Sequence, residues 1–227
     1  PFAIAAVPMA LILVQPDLGT TLLFVPTLLA MLYTAGARKR HLGIMVAVLL
    51  IAAPVAYFHG LKEYQRNRLI SFAFPEKVPP DMRYQQEQSK KACSAGGWVG
   101  RGLGESGTNQ PFYIPDRHTD FVYSIIAEEL GFLGSSFVLL LFAGFFFSAY
   151  RVAFLTREPF GRLICVGLTT LLATQTFINL GMTLGVAPIT GLTLPFESYG
   201  GSSLLTCGIA VGLILNVSAR WQPSFTK

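Results

Sequence analysis

The chain predicts an all-α fold, a polytopic transmembrane helical bundle of about six membrane helices with one large polar loop. Three features say so. Apolar residues come in long blocks and not in strand-like alternation. Charge is scarce: 13% of the 227 residues are charged and 52% are hydrophobic, where soluble domains carry about 25% charge, and mean hydropathy is +0.52. Finally, the short connections between blocks carry arginine and lysine with a regular parity, as expected if every block spans. In lipid only helices or closed barrels satisfy their own backbone groups, which makes these blocks helices.

Taken in order, Phe2–Val14 is shorter than the ~20 residues that cross a bilayer and reads as the end of a helix, so an N-terminal part is expected to precede Pro1. QPDLGT (15–20) interrupts it. Asp17 then starts the next segment, Leu18–Tyr33, either as a helix cap or in support of a substrate cavity. Gly36 to His41 is a basic turn before the third segment, Leu42–Phe58. His59 to Thr119 is polar and holds most of the charges. The fourth segment, Phe121–Tyr150, is long enough to begin above the hydrocarbon. Arg151 to Arg162 is a second basic connection, and Leu163–Val186 and Leu204–Val217 complete the set. Gly181-x-x-x-Gly185 and Gly208-x-x-x-Gly212 read as packing positions where helices approach closely.

Arg38, Lys39 and Arg40 fall on one side with Arg151, Arg157, Arg162 and Arg220. Short basic connections mark the cytoplasmic side, so the long loop faces outward. The net charge of +5 reflects this bias, and no basic run with interleaved aromatics suggests nucleic acid. Three cysteines without a CxxC pair argue against a disulfide framework or a zinc site.

Chemistry concentrates where the loop meets the fourth segment, PFYIPDRHTDFVYSIIAEELG (111–131). Asp120 sits at the junction, as a helix cap or as a proton acceptor. Arg117 and His118 precede it, as a solvated pair or as contacts to an anionic substrate. Glu128 and Glu129 lie about two turns inside, where carboxylates are costly and face a cavity or a partner. Only one of two adjacent helical residues can face a cavity. The other is expected to pair with a base such as Arg68 or Lys90. The glycine-rich stretch 96–104 either is a flexible loop or offers backbone N–H groups to an anion beside Arg101. Gly102-x-Gly104-x-x-Gly107 is no dinucleotide fingerprint, because no strand–helix unit surrounds it.

Several stretches, in order along the chain, carry a resemblance. They are QPDLGT (15–20), YQRNRLISF (64–72), QSK (88–90), SAGGWVGRGLGESG (94–107), PDRHTDFVYSIIAEELGFLG (115–134) and INLGMTLGVAPITGLTLPFESYGGSSL (178–204). Together they resemble the SEDS family (shape, elongation, division and sporulation), the RodA/FtsW/SpoVE-like membrane proteins of bacterial cell-wall synthesis. YQRNR, QSK and NLGM lean toward the RodA branch, and Glu197 departs from the apolar residue that family members mostly carry. The resemblance implies that residues 1–227 are the C-terminal part of one SEDS-type membrane domain, with loop 59–120 extracytoplasmic, in a multi-pass protein of the bacterial inner membrane.

It further implies a peptidoglycan glycosyltransferase that polymerises lipid II, with undecaprenyl diphosphate leaving and inversion at the anomeric carbon. A class B penicillin-binding protein is the implied partner, beside membrane lipids, and nucleic acid is not one. Asp120 matches the family's essential aspartate and would be the general base. Arg68, Lys90, Arg101, Arg117, His118, Glu128 and Glu129 are the candidate substrate contacts. No organic cofactor is expected. A divalent cation (Mg or Mn) could be shared by Asp120, Glu128 or Glu129. A lipid II flippase and a non-catalytic scaffold for the penicillin-binding protein are the alternatives.

Overall fold

A computed structural model describes residues 11–12, 15, 17–55, 57–58, 62–74, 76, 80–104 and 119–221. Seven named helices carry them: α1 (Leu18–Thr34), α2 (Lys39–Val55), α3 (Glu63–Ala73), α4 (Pro80–Ala95), α5 (Val122–Leu155), α6 (Pro159–Leu184) and α7 (Gly201–Trp221). No strand occurs among the described residues. The last three helices are long and apolar enough to cross a membrane, and Gly19–Thr34 is a shorter apolar helix. The expected second to sixth segments thus correspond to α1, α2, α5, α6 and α7. The expected first, Phe2–Val14, lies outside the described residues apart from residues 11 and 12.

Two compact units emerge from the internal contacts: residues 1–62, 145–174 and 205–227, and residues 63–144 and 175–204. In the first, α1 begins at Asp17, whose carboxylate accepts the Thr20 backbone N–H at 3.0 Å and the Thr20 hydroxyl at 2.6 Å. Of the two readings of Asp17, this is the cap. The core of this unit sets small side chains, Ala149, Ala153 and Cys165, among the branched Val166 and Ile214, with Ala30, Val152, Leu168 and Val217 against them. A second cluster joins Leu172, Cys207 and Ala210. Gly161 lies against Val217, and Gly167 lies under the Met31 sulfur. These small residues give close approach, which in lipid stabilises through packing and not through water exclusion. Gly208 and Gly212 do not: among the described residues, a β-carbon on either would meet nothing within 4 Å. The small-x-x-x-small spacing holds there, but that face of α7 is turned away from its neighbours. At the turn after α5, Arg162 donates to the Thr156 carbonyl from Nε at 3.2 Å and from Nη2 at 2.8 Å, satisfying a helix-end acceptor.

The second unit contains the region expected as a polar loop, and two helices stand in it, α3 and α4. Helix α4 docks on the C-terminal end of α6. Gln86 donates to the Ala187 carbonyl at 2.9 Å and Ser89 to the Thr183 carbonyl at 2.9 Å. Carbonyls in the last turn of a helix have no intrahelical donor; Ser89 supplies one to Thr183, while Ala187 lies just past the helix end. Behind this contact Ala92, Phe121 and Ile189 form a small apolar core. Phe121 is 1% exposed, so the residue following Asp120 is a fixed anchor.

Helix α5 is broken at Gly131, whose φ of 66° and ψ of −166° leave the helical region. The break strips the Glu128 and Glu129 carbonyls and the Phe132 and Leu133 N–H groups of their helical partners. The glycine-rich segment replaces all four. Arg101 N–H donates to the Glu128 carbonyl (3.0 Å) and Gly102 N–H to the Glu129 carbonyl (3.1 Å). In return Phe132 N–H donates to the Gly97 carbonyl (2.8 Å) and Leu133 N–H to the Trp98 carbonyl (3.1 Å). Such close approach demands glycine: a β-carbon on Gly100 would overlap the Glu129 carbonyl, and one on Gly96 the Ala127 carbonyl.

Candidate functional site at the head of α5

Asp120 occupies the turn just before α5 and is half-buried. Two neighbours define its position. Its main-chain carbonyl accepts a hydrogen bond from Asn179 Nδ2 at 2.8 Å, and the same nitrogen donates to the Leu192 carbonyl at 2.6 Å. Asn179 is fully buried on α6. With both acceptors on its nitrogen, the amide is oriented, and Oδ1 has no hydrogen-bond partner. One turn earlier, Gln175 Nε2 donates to the Thr193 carbonyl at 2.9 Å and to its hydroxyl at 3.1 Å. Residues four apart share a helix face. Gln175 and Asn179 therefore form a short ladder of amides that holds the 192–193 main chain.

That main chain belongs to the connection from α6 to α7, and Gly191 in it marks the site's floor. Gly191 has a φ of +74°, a left-handed conformation that suits glycine. A β-carbon placed there would lie 3.6 Å from Asp120 Oδ2 and 3.9 Å from Arg68 Nη1. The carboxylate and the guanidinium thus reach the same point from two directions. Arg68, on α3, is steadied by donating Nη1 to the Ile189 carbonyl at 3.2 Å. Nearby, Ser198 Oγ accepts the Leu194 N–H at 2.7 Å and closes the turn that carries Phe196, a non-glycine residue at φ 69°.

Of the sequence candidates, Asp120 and Arg68 are therefore brought together at Gly191. Lys90 is elsewhere on the unit: its stem runs over Gly185, where a β-carbon would overlap Lys90 Cε. Glu128 is buried, and its partner is neither Arg68 nor Lys90 but Arg101, with Nη1 3.1 Å from Oε1. The reason is the break at Gly131, which draws the glycine-rich segment alongside α5 and puts Arg101 beside Glu128. In that segment the Gly97, Gly100, Arg101 and Gly102 N–H groups donate to main-chain carbonyls, so these four are not offered to an anion. Glu129 is half-buried. Arg117 and His118 lie outside the described residues. Beneath the pair, burial pushes the Cys93 thiol up to about 11, with the charge of Glu128 adding to the effect. Among the described residues no group of three or more His, Cys, Asp or Glu side chains gathers to hold a metal.

Asn179 was missed from the sequence, although a signal for it exists. Two amides four residues apart, Gln175 and Asn179, in a helix whose other polar residues beyond Arg162 are threonines, are expensive in lipid unless they face protein. Gln86 and Ser89 carried no such signal, because α4 is polar throughout.

Fold and site together define a class: a multi-pass helical membrane protein whose polar rim holds a carboxylate and a guanidinium over a glycine floor. The chain belongs to the FTSW_RODA_SPOVE family of cell cycle proteins, whose model matches residues 1–222. It is 40% identical over 216 residues to the probable peptidoglycan glycosyltransferase FtsW of Geobacter sulfurreducens, covering 95% of this chain and 57% of that protein. It is also 40% identical over 211 residues to stage V sporulation protein E of Bacillus subtilis, covering 92% and 56%. Among solved structures, a chain of a peptidoglycan synthase complex matches with a TM-score of 0.79 at 32% identity, over 98% of this chain and 63% of that one. The rod shape determining protein RodA of Thermus thermophilus matches with a TM-score of 0.62 at 27% identity, over 98% and 57%. The chain spans a little over half the length of the curated relatives it matches. By name those relatives are FtsW and SpoVE, while the solved structures include RodA, so the match defines the family and not one branch.

Proposed function

We propose that this chain carries the extracytoplasmic reaction centre of a peptidoglycan glycosyltransferase of the bacterial inner membrane. In the reaction, a sugar 4-hydroxyl attacks the anomeric carbon of a lipid-linked glycan. The C–O bond to undecaprenyl diphosphate breaks with inversion, and the hydroxyl proton passes to a base. Asp120 is that base. Such catalysis contributes about 10²–10⁴-fold. Arg68 faces the developing charge on the diphosphate, where a fixed cation stabilises the transition state more than the ground state. A divalent cation, Mg or Mn, is kept in the proposal as a companion of the diphosphate, with no protein ligand set assigned to it.

One observation carries this reading: Asp120 Oδ2 and Arg68 Nη1 both lie within 4 Å of the β-position of Gly191. A single displacement needs a base and a cation near one another and no second carboxylate nucleophile, and the approach of both groups to Gly191 supports that reading. Lys90, Arg101, Arg117, His118, Glu128 and Glu129 belong to the outer part of the proposal. Arg101 and Glu128 act there as a pair that shapes the rim. The names of the relatives support the reaction class. A class B penicillin-binding protein is the proposed partner, supported by the likeness to a chain of a peptidoglycan synthase complex.

The test is polymerisation of lipid II by the purified full-length protein in detergent, where no leaflets exist. The proposal expects glycan polymer from the unmodified protein and its loss, by a factor of at least about 10², in Asp120→Asn. Undiminished product from Asp120→Asn overturns the assignment. No product from the unmodified protein, combined with lipid II movement in vesicles, makes the chain a transporter.

A further inference from the structure

The depth of α5 in the bilayer can be read from its own sequence. From Leu130 to Tyr150 the helix carries no charge, and Arg151 ends the run. That is about 20 residues, so roughly 30 Å of helix, the thickness of the hydrocarbon layer. With Arg151 at one boundary, the other falls at the break, between Gly131 and Phe132. Glu128 and Glu129 then stand in the interfacial layer and not in the hydrocarbon. The glycine-rich segment, bonded to residues 128–133, is held at the same level.

Its side chains match that level. Trp98, Val99 and Leu103, with Phe132 and Leu133 beside them, are 59–78% exposed and form one apolar outcrop. Trp98 and Phe132 meet edge to face with ring centroids 5.3 Å apart. Tryptophan is enriched where apolar and wet layers meet. The outcrop is rigid, because the four backbone hydrogen bonds across the break fix its main chain, and the Arg101–Glu128 ion pair fixes its other edge. Irregular backbone tolerates membrane depth where its polar groups are paired within the protein, as the Gly97, Gly100, Arg101 and Gly102 N–H groups and the Gly97 and Trp98 carbonyls are here.

We infer that segment 97–103 is a shallow membrane anchor, seating Trp98, Val99 and Leu103 among lipid glycerol and upper acyl groups on the side of Asp120. Its partner is the bilayer, and it does not depend on the chemistry at Asp120. Its consequence is positional: the rim of the reaction centre is tied to lipid depth through Glu128 and Arg101.

The test is depth-resolved quenching of Trp98. The full-length protein is prepared with every other tryptophan, Trp221 included, replaced by phenylalanine. It is reconstituted without partners in vesicles of equal parts phosphatidylcholine and phosphatidylglycerol. The anchor predicts blue-shifted emission, at least about twofold quenching by lipids brominated near the top of the acyl chain, and weaker quenching by bromines near the chain end. A nitroxide on Leu103→Cys gives an independent reading: greater accessibility to oxygen than to a water-soluble nickel complex. Emission of a water-exposed indole, quenched by aqueous iodide and not by bromolipid, overturns the inference. So does protection that appears only when a partner protein is added, which would assign the outcrop to a protein interface.

Discussion

Asn179 donates its side-chain amide to the main-chain carbonyl of Asp120 at 2.8 Å, from a position with no solvent exposure. The bond ties the head of α5 to α6 without touching the carboxylate. Because the same nitrogen also holds Leu192, the residue sets both the wall and the floor around Asp120.

Replacing Asn179 by leucine removes the bonds to the Asp120 carbonyl and to the buried Leu192 carbonyl, and a buried acceptor that loses its donor costs about 1–3 kcal/mol. The expected outcome is a lower melting temperature together with a fall in kcat of about 10-fold or more, as expected when a reacting group is misplaced by about 1 Å. KM should change little. A thermal melt in detergent and lipid II polymerisation kinetics check both. A melt shift with unchanged kcat would confine Asn179 to stability.

Arg68→Lys keeps the charge and loses the planar fork; Arg68→Gln loses the charge. If the guanidinium faces the leaving diphosphate, glutamine should cost more than lysine, by about 10-fold or more in kcat/KM. Equal losses in the two variants would mean that the hydrogen bond to Ile189 is what matters.

Arg101→Ala leaves Glu128 buried with its partner gone and should destabilise by about 1–3 kcal/mol. Arg101→Ala with Glu128→Gln should recover part of this. The coupling energy from a double-mutant cycle on thermal unfolding is the measurement, and a value near zero would mean solvent screens the pair.

Glycines should divide by what stands over them. Gly100→Ala and Gly131→Ala drive a β-carbon into the facing backbone at positive φ. They should cost more than about 3 kcal/mol, the upper range for backbone strain alone. Gly208→Ala meets nothing and should be neutral or stabilising by up to about 1 kcal/mol. Yields of folded protein by size exclusion report the difference.

Cys93, with its thiol pKa raised from 9.0 to about 11, should resist iodoacetamide at pH 8 in the folded protein and react once the chain is unfolded. The folded pKa exceeds the unfolded one, so the contribution to stability is complete below pH 9. It is lost as pH rises from 9.0 to about 11. Thermal melts of the protein and of Cys93→Ala across that window check the sign: the decline should be shallower in the variant.

Much of the architecture was legible from hydropathy alone. The segments that became α5, α6 and α7 were expected within a few residues of their ends, because uncharged runs of this length have few other folds in lipid. Asp17 was legible as a cap from QPDLGT, since the bonds it makes are local. Gly208 and Gly212 misled, because spacing says that two glycines share a face and not which way the face turns. The two helices of the supposed loop were missed because hydropathy reports membrane spans, and α3 and α4 are polar. Arg101 as the partner of Glu128 was out of reach, because it depends on a helix break whose cause, Gly131, looks like any glycine in a membrane helix.

What the sequence by itself determined was the class of protein: apolar blocks demand helices in lipid, and Asp120 stands where a polar stretch meets the start of one. Only the tertiary structure decided who stands next to Asp120. Arg68, Asn179 and Gly191 come from three separate stretches, and their meeting depends on long-range hydrogen bonds from side chains to main-chain carbonyls, which have no period and no local signature.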